Sequence, residues 1–263
     1  MRYAIGIEYD GSAFLGWQIQ RQEPTVQGVL ERALARVADH EARVTGCGRT
    51  DTGVHACCQV AHFDSAAQRS ERSWVLGLNS HLPEAVSVLW IRPVDDVFHA
   101  RFSAFARRYR YRILNRWIRP ALENTRASWV RKPLDARAMH EAAQHLRGEH
   151  DFSSFRASAC QATHAVREIH EISVERGGDL ITLEVAANGF LYHMVRNIAG
   201  SLIRVGEGAA PADWIRELLE ARNRELAAPT AQPEGLYFVG ARFPPEYGLP
   251  EQAPAFPRGQ GLS

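Results

Sequence analysis

Residues 108–114 read Arg108-Tyr109-Arg110-Tyr111-Arg112-Ile113-Leu114. Successive side chains of a strand leave opposite faces, so Tyr109, Tyr111 and Ile113 share one side and Arg108, Arg110 and Arg112 the other. A strand therefore sits near the middle of the chain, and the same period recurs to either side of it. Residues 3–9 alternate Tyr3, Ile5, Ile7 and Tyr9 against Ala4, Gly6 and Glu8, which predicts a half-buried strand ending at the turn Asp10-Gly11-Ser12. Behind Pro24-Thr25, the spacing of Val26, Val29, Leu30, Ala33, Leu34 and Val37 predicts one amphipathic helix. Short strands follow around Val44 and over Gln59 to Phe63. Downstream, Asp135 can cap a helix through Leu146 that stops at Gly148. Residues 167–176 and 180–187 form strands joined at Gly177-Gly178-Asp179, a hairpin signal. A helix is expected from about Phe190 to Val205, another opens at Pro211, and a last strand covers Leu236 to Phe243.

Hairpins, rather than regular strand–helix–strand spacing, favour an α+β fold with antiparallel sheets flanked by helices. Two similar halves, 1–104 and 105–245, would meet at a cleft, with a Pro-rich tail at 246–263. No run of eighteen apolar residues exists to span a membrane, and the first twenty residues lack the apolar core of a secretory signal. Four cysteines, two of them adjacent, do not resemble a disulfide framework, and a reducing cytoplasm is the expected home.

Net charge is only +1, which alone gives no reason to expect nucleic acid. Thirty of the 31 basic residues are arginine, Lys132 being the exception, and a coding bias accounts for that choice as well as function does. Placement says more. No acid occurs between Asp96 and Glu123, whereas Arg101, Arg107, Arg108, Arg110, Arg112, Arg116 and Arg119 do. Such a stretch suits a phosphate-tracking surface, with a solvated sheet face as the plain alternative.

The chemistry concentrates in Gly46-Cys47-Gly48-Arg49-Thr50-Asp51-Thr52-Gly53-Val54-His55-Ala56. Its glycines allow tight turns, and Arg49 is placed to keep the Asp51 carboxylate ionised. A Gly-rich turn with a surface ion pair reads the same way. Asp51-Thr52-Gly53 also spells the aspartic-protease triplet. Such enzymes need two carboxylates sharing a proton, and the chain has no second copy of the triplet. Cys47, His55, Cys57, Cys58 and His62 lie close in sequence. Neighbours in a strand face opposite ways, however, so buried thiols are expected and no metal site.

Several segments taken together resemble the tRNA pseudouridine synthase A family. Ile7-Glu8-Tyr9-Asp10-Gly11-Ser12, Phe14, Gly16-Trp17-Gln18 and Thr25-Val26-Gln27 are similar to its first motif. Gly48-Arg49-Thr50-Asp51 with Gly53-Val54-His55-Ala56 is similar to its second. Phe98-His99-Ala100-Arg101-Phe102-Ser103-Ala104 and Arg107-Arg108-Tyr109-Arg110-Tyr111 resemble its central segment. Phe152-Ser153-Ser154-Phe155, His193-Met194-Val195-Arg196-Asn197-Ile198 with Gly200, and Glu234-Gly235-Leu236-Tyr237 then follow in the family's order. Cys58 departs from a frequent glycine and Cys47 from a common alanine.

That resemblance implies a homodimeric, cofactor-free isomerase converting uridine to pseudouridine in the tRNA anticodon stem-loop, at the tRNA positions numbered 38, 39 and 40. It implies catalytic roles for Asp51, Arg196 and Tyr109. Tyr109, Arg49, Arg101, Arg108, Arg110 and Leu236 are expected to contact RNA. A non-catalytic RNA-binding relative is the competing class, and the presence of Asp51 argues against it.

Overall fold

The computed structural model describes residues 1–21, 24–158 and 160–250; the proline-rich tail beyond Pro250 lies outside the described residues. In chain order its elements are β1 (Arg2–Tyr9), α1 (Val26–Ala38), β2 (Thr45–Gly46), β3 (His55–Asp64), α2 (Glu71–His81), β4 (Val86–Val94) and β5 (Ala106–Asn115). There follow β6 (Ser128–Val130), α3 (Ala136–Gln144), β7 (Gly148–Asp151), β8 (Val166–Gly177), β9 (Leu180–Ala187), α4 (Met194–Gly206), α5 (Trp214–Ala221) and β10 (Leu236–Arg242). The fold is α+β. Among the described residues, no helix is long and apolar enough to cross a membrane.

Two compact units divide the chain. One holds Met1–Arg107 and the segment that begins at Tyr237; the other holds Arg108–Leu236. The break falls three residues beyond the expected 104, and β10, expected in the second half, returns to the first unit. Its return rests on parallel pairing of Tyr237 with His55 and Phe238 with Ala56. Tyr237 also stacks on the His55 ring, with centroids 4.6 Å apart.

In the first unit the sheet order is β4-β1-β3-β10, with β2 on β3. Thr25 caps α1, its hydroxyl accepting the Gly28 amide, and Leu30, Ala33 and Leu34 are buried beneath it. β1 is covered on both faces rather than half-buried. Ala4 is buried opposite Ile5, and Gly6 lies so close to the Trp90 indole that a Cβ would overlap it. α2 and β4 carry weak sequence signals. Helix α2 buries only Trp74 and Leu78, and β4 contains Pro93 and pairs with β1 through a register shift.

The second unit orders its strands β5-β9-β8-β7, with β6 parallel to β5. The strand pairing within each unit is therefore mixed. It is parallel at β3–β10 in the first and at β5–β6 in the second, and antiparallel at β1–β3, β1–β4, β2–β3, β7–β8 and β8–β9. The β8–β9 hairpin turns through Gly178 at φ +60, a conformation that costs glycine no Cβ clash. Helix α4 begins at Met194, four residues later than the periodicity suggests. His193 stands at φ +59, outside helical geometry, and serves as the N-cap position. Gly206 lets α4 end against Met139 of α3.

Candidate active site

Asp51 is half-buried in the loop between β2 and β3, and most of the first motif serves to hold that loop. Both of its ends are tied. The Gln59 side chain brackets one end, its amide donating to the Gly48 carbonyl at 2.7 Å and its oxygen accepting the Gly48 N–H at 3.3 Å. At the other, the Val54 amide donates to the Asp51 carbonyl at 3.1 Å, closing a turn in which Gly53 adopts φ +78. Between them, the Trp17 amide donates to the Thr50 carbonyl at 3.0 Å, and the Thr50 hydroxyl lies 2.7 Å from the buried Tyr9 hydroxyl. Burial pushes the Tyr9 phenol well above its usual pKa, so it stays neutral as a hydrogen-bonding strut.

Gly16 explains why this motif needs glycine. At φ +96 it passes so near the loop that a Cβ would sit 2.7 Å from the Thr50 carbonyl oxygen and 3.1 Å from the Asp51 carbonyl carbon. Gln27 secures the preceding segment, accepting from Gln18 at 2.8 Å and donating to the Val44 carbonyl at 3.1 Å. The carboxylate thus stands on backbone anchored from several directions, as a reacting group requires.

Arg49 is exposed, and among the described residues it forms no ion pair. The local Arg49–Asp51 pair expected from spacing is therefore not made. Arg101 is also exposed, its guanidinium 5.6 Å from the Phe102 ring centre. Its carbonyl accepts from Arg107, which donates as well to the Ala104 carbonyl at 2.8 Å. Burial pushes the Cys47 thiol up despite Arg107 and Arg101 nearby, and Cys47, Cys57 and Cys58 are all buried free thiols.

In the second unit, Tyr109 is half-buried on β5, with the Phe190 ring meeting its own edge-to-face at 4.9 Å. Tyr111 is fully buried and donates its hydroxyl to the Gln232 carbonyl at 2.7 Å. The arginine face of β5 is not an open cationic stripe. Arg110 is only 7% exposed and grips Glu184 through two nitrogens. Arg108 pairs with Glu171 at 2.5 Å and with Glu184 at 3.5 Å, and Arg112 pairs with Glu123 at 3.1 Å. Arg110 thus has a protein partner, Glu184, that the strand pattern did not reveal. Its acids are missing from the local sequence because β8 and β9 bring them.

Arg196 lies in the first turn of α4, where the helix dipole disfavours a cation. Its placement comes from the strap at residues 229–231. Arg196 Nε donates to the Ala231 carbonyl at 2.8 Å, and the Ala231 amide returns a bond to the Arg196 carbonyl at 3.2 Å. Gly200 permits this approach, since a Cβ there would lie 2.2 Å from the Pro229 oxygen. Buried Asn197 ties the same region together. Its amide donates to the Phe155 carbonyl at 2.8 Å, and its oxygen accepts from Thr230 at 2.6 Å and Arg224 at 3.1 Å. Leu236 is buried, and Gly235 before it packs on the Tyr111 ring.

The family described as tRNA pseudouridine synthase matches residues 5–103 and, separately, 142–244. The tRNA pseudouridine synthase A of Xylella fastidiosa strain M23 is 57% identical over 251 residues, covering 95% of this chain and 98% of that protein. That of Xanthomonas axonopodis pv. citri strain 306 is 56% identical over 254 residues, covering 96% and 99%. The chain belongs to the tRNA pseudouridine synthase A family. Among solved structures, a chain of a Cbf5-Nop10-Gar1 complex aligns at a TM-score of 0.37 and 12% identity, over 90% of this chain and 48% of that one, a likeness too distant to add weight.

Membership makes the chain an isomerase of the pseudouridine synthase A type. The first matched segment lies within the first unit and carries the Asp51 loop; the second carries the Arg196 helix and runs on through β10, which belongs to the first unit. Tyr9, Gln59 and Trp17, which buttress the synthase loop, and Asn197, Thr230 and Arg224, which lock its helix, were not singled out by residue type. Several stand inside or beside the quoted motifs, so position was their only signal. Among the described residues, no three His, Cys, Asp or Glu side chains gather as metal ligands.

Proposed function

We propose that this chain isomerises uridine to pseudouridine in the anticodon arm of tRNA, using the Asp51 carboxylate and no cofactor. The reaction breaks the N1–C1′ bond, turns the uracil and rejoins it through C5, so no atom or electron is exchanged overall. A carboxylate suits the first step whether it adds to the base, attacks the sugar or removes a sugar proton. The observation that carries the reading is the Asp51 loop itself: a half-buried carboxylate in the family's motif, on backbone held by Gln59, Trp17 and Tyr9.

A uracil paired in an RNA arm must be everted, at a cost of a few kcal/mol. The role proposed for Tyr109 is to stack on that base, returning about 1–3 kcal/mol. By the family resemblance, Arg196 is assigned a catalytic role, its planar guanidinium being suited to bind negative charge. Arg49 and Arg101, both exposed, are assigned to phosphates, while Leu236 offers the base an apolar contact. By analogy with the family, the enzyme works as a cytoplasmic homodimer with tRNA as its partner.

Incubating the purified protein with an unmodified tRNA transcript and mapping pseudouridine by carbodiimide-stop sequencing tests the reading. Product is expected on the 3′ side of the anticodon stem-loop. Asp51→Asn should bind tRNA as the wild type does and form no product; turnover by that variant would refute the carboxylate's role.

A further inference from the structure

Between β5 and α3 the chain makes an excursion, Arg116 to Lys132, that falls outside both segments matched by the family. Its backbone is firmly held. β6 pairs with β5, Asn115 donates to the Val130 carbonyl at 3.0 Å and the Lys132 carbonyl at 2.6 Å, and Arg112 donates to the Arg126 carbonyl at 3.2 Å. Within the arm, the Trp129 indole N–H donates to the Arg116 carbonyl at 2.9 Å, and Arg116 in turn donates to the Ile118 carbonyl at 2.9 Å.

On this fixed backbone, large apolar side chains face water. Trp117 is 66% exposed, Ile118 61% and Leu122 93%. Scattered exposed apolar residues are ordinary, but three within six positions of an ordered arm call for a covering partner. The surrounding charge indicates which kind. Arg116, Arg119, Arg126, Arg131 and Lys132 accompany one acid within the arm, Glu123, which Arg112 already engages, and Lys132 meets Glu207 at the end of α4, at 3.6 Å. The Arg131 guanidinium lies 3.6 Å over the Trp117 ring, leaving an aromatic and a cation side by side.

A second copy of this arm would bring the same cations against themselves in a two-fold contact, which like charges oppose. A polyanion with exposed ring faces meets both features at once: bases stack on the indole and phosphates neutralise the guanidinium groups. We propose that the arm is a second RNA-binding surface, gripping tRNA away from the reacting uridine through Trp117, Arg119 and Arg131. This rests on the reading of tRNA as the substrate.

The test measures binding of an unmodified tRNA transcript by filter retention across a salt series, alongside kcat and KM for pseudouridine formation. Trp117→Ala should weaken binding about 10-fold, and Trp117→Phe should restore most of it. The paired change Arg119→Ala with Arg131→Ala should lower the log–log salt slope by about 2. Leu122→Asp, at a side chain almost wholly in solvent, should also weaken binding without disturbing the fold. In each case KM rises while kcat at saturating tRNA stays at the wild-type value.

Unchanged affinity and salt slope in all these variants would overturn the proposal. So would a fall in oligomeric mass by light scattering with RNA affinity intact, which would mark the arm as a protein interface. Product formation by wild type with normal binding by the variants sinks the arm alone. Binding by wild type without product, with weakened binding in the variants, sinks the catalytic reading and leaves the arm standing.

Discussion

Single side chains and single missing side chains set the geometry around Asp51. Gly16 is the sharpest case, because both its positive φ and the neighbouring Thr50 carbonyl exclude a Cβ. Gly16→Ala should cost about 1–3 kcal/mol in urea unfolding through backbone strain. It should also lower kcat at least about 10-fold, because the atoms that must yield belong to the loop proposed to carry the reacting carboxylate. A variant with wild-type kcat would show that the loop tolerates displacement. His62 supplies a pH signature. Burial lowers its pKa from 6.5 to about 4, with His99 and Arg2 adding to the effect, and its Nδ1 accepts the Ala100 amide at 3.2 Å. The depressed folded-state value means that the unfolded chain takes up the proton first. The stability contributed by neutral His62 is complete above pH 6.5 and is lost as pH falls toward about 4. Urea midpoints measured from pH 7 to 5 should therefore decline, and His62→Gln should flatten the decline.

At the level of elements, β5 illustrates how a strand's pattern can be read correctly and its surface misread. Alternation locates the strand and separates tyrosines from arginines, because both follow from the two-residue repeat of an extended chain. It gives no information about what lies opposite. Glu184 and Glu171 arrive on β9 and β8, far along the chain, and turn a run of cations into a set of ion pairs. Arg110→Ala should consequently destabilise the fold by about 2 kcal/mol in urea unfolding, by leaving a partly buried carboxylate without its main partner. The double change Arg110→Met with Glu184→Gln should recover most of that loss. If Arg110→Ala were neutral for stability yet weakened tRNA binding, the arginine would serve phosphate rather than Glu184. The late start of α4 has a similar origin. The apolar stripe of Leu191, Met194 and Ile198 continues smoothly through His193, whose left-handed backbone no periodicity reveals.

Across the whole molecule, the return of β10 to the first unit gives residues far apart in sequence a shared core. Phe238 is fully buried on β10, two positions beyond Leu236. Phe238→Ala should cost about 3–5 kcal/mol. Hydrogen exchange should then show lost protection in β1 and β3, at the opposite end of the chain. Protection lost instead only near the mutated residue would mean that β10 is peripheral to that unit. This dependence also explains why the ownership of the last strand was not legible in the sequence. It depends on pairing with β3, far back in the chain, which no local pattern records.

The amino-acid order by itself determined the mixed strand–helix content, the hairpin at Gly177-Gly178-Asp179, and the family motif around Asp51. These are written in neighbouring residues, where a two-residue or helical repeat, a glycine or a short motif can be read without knowing what packs against it. Tertiary structure alone decided that Arg110 is spent on Glu184, that Tyr9 and Gln59 brace the aspartate loop, and that Trp117 remains in water beside Arg131. Charge neutralisation, burial and support are relations between residues that only the folded chain brings within hydrogen-bonding distance.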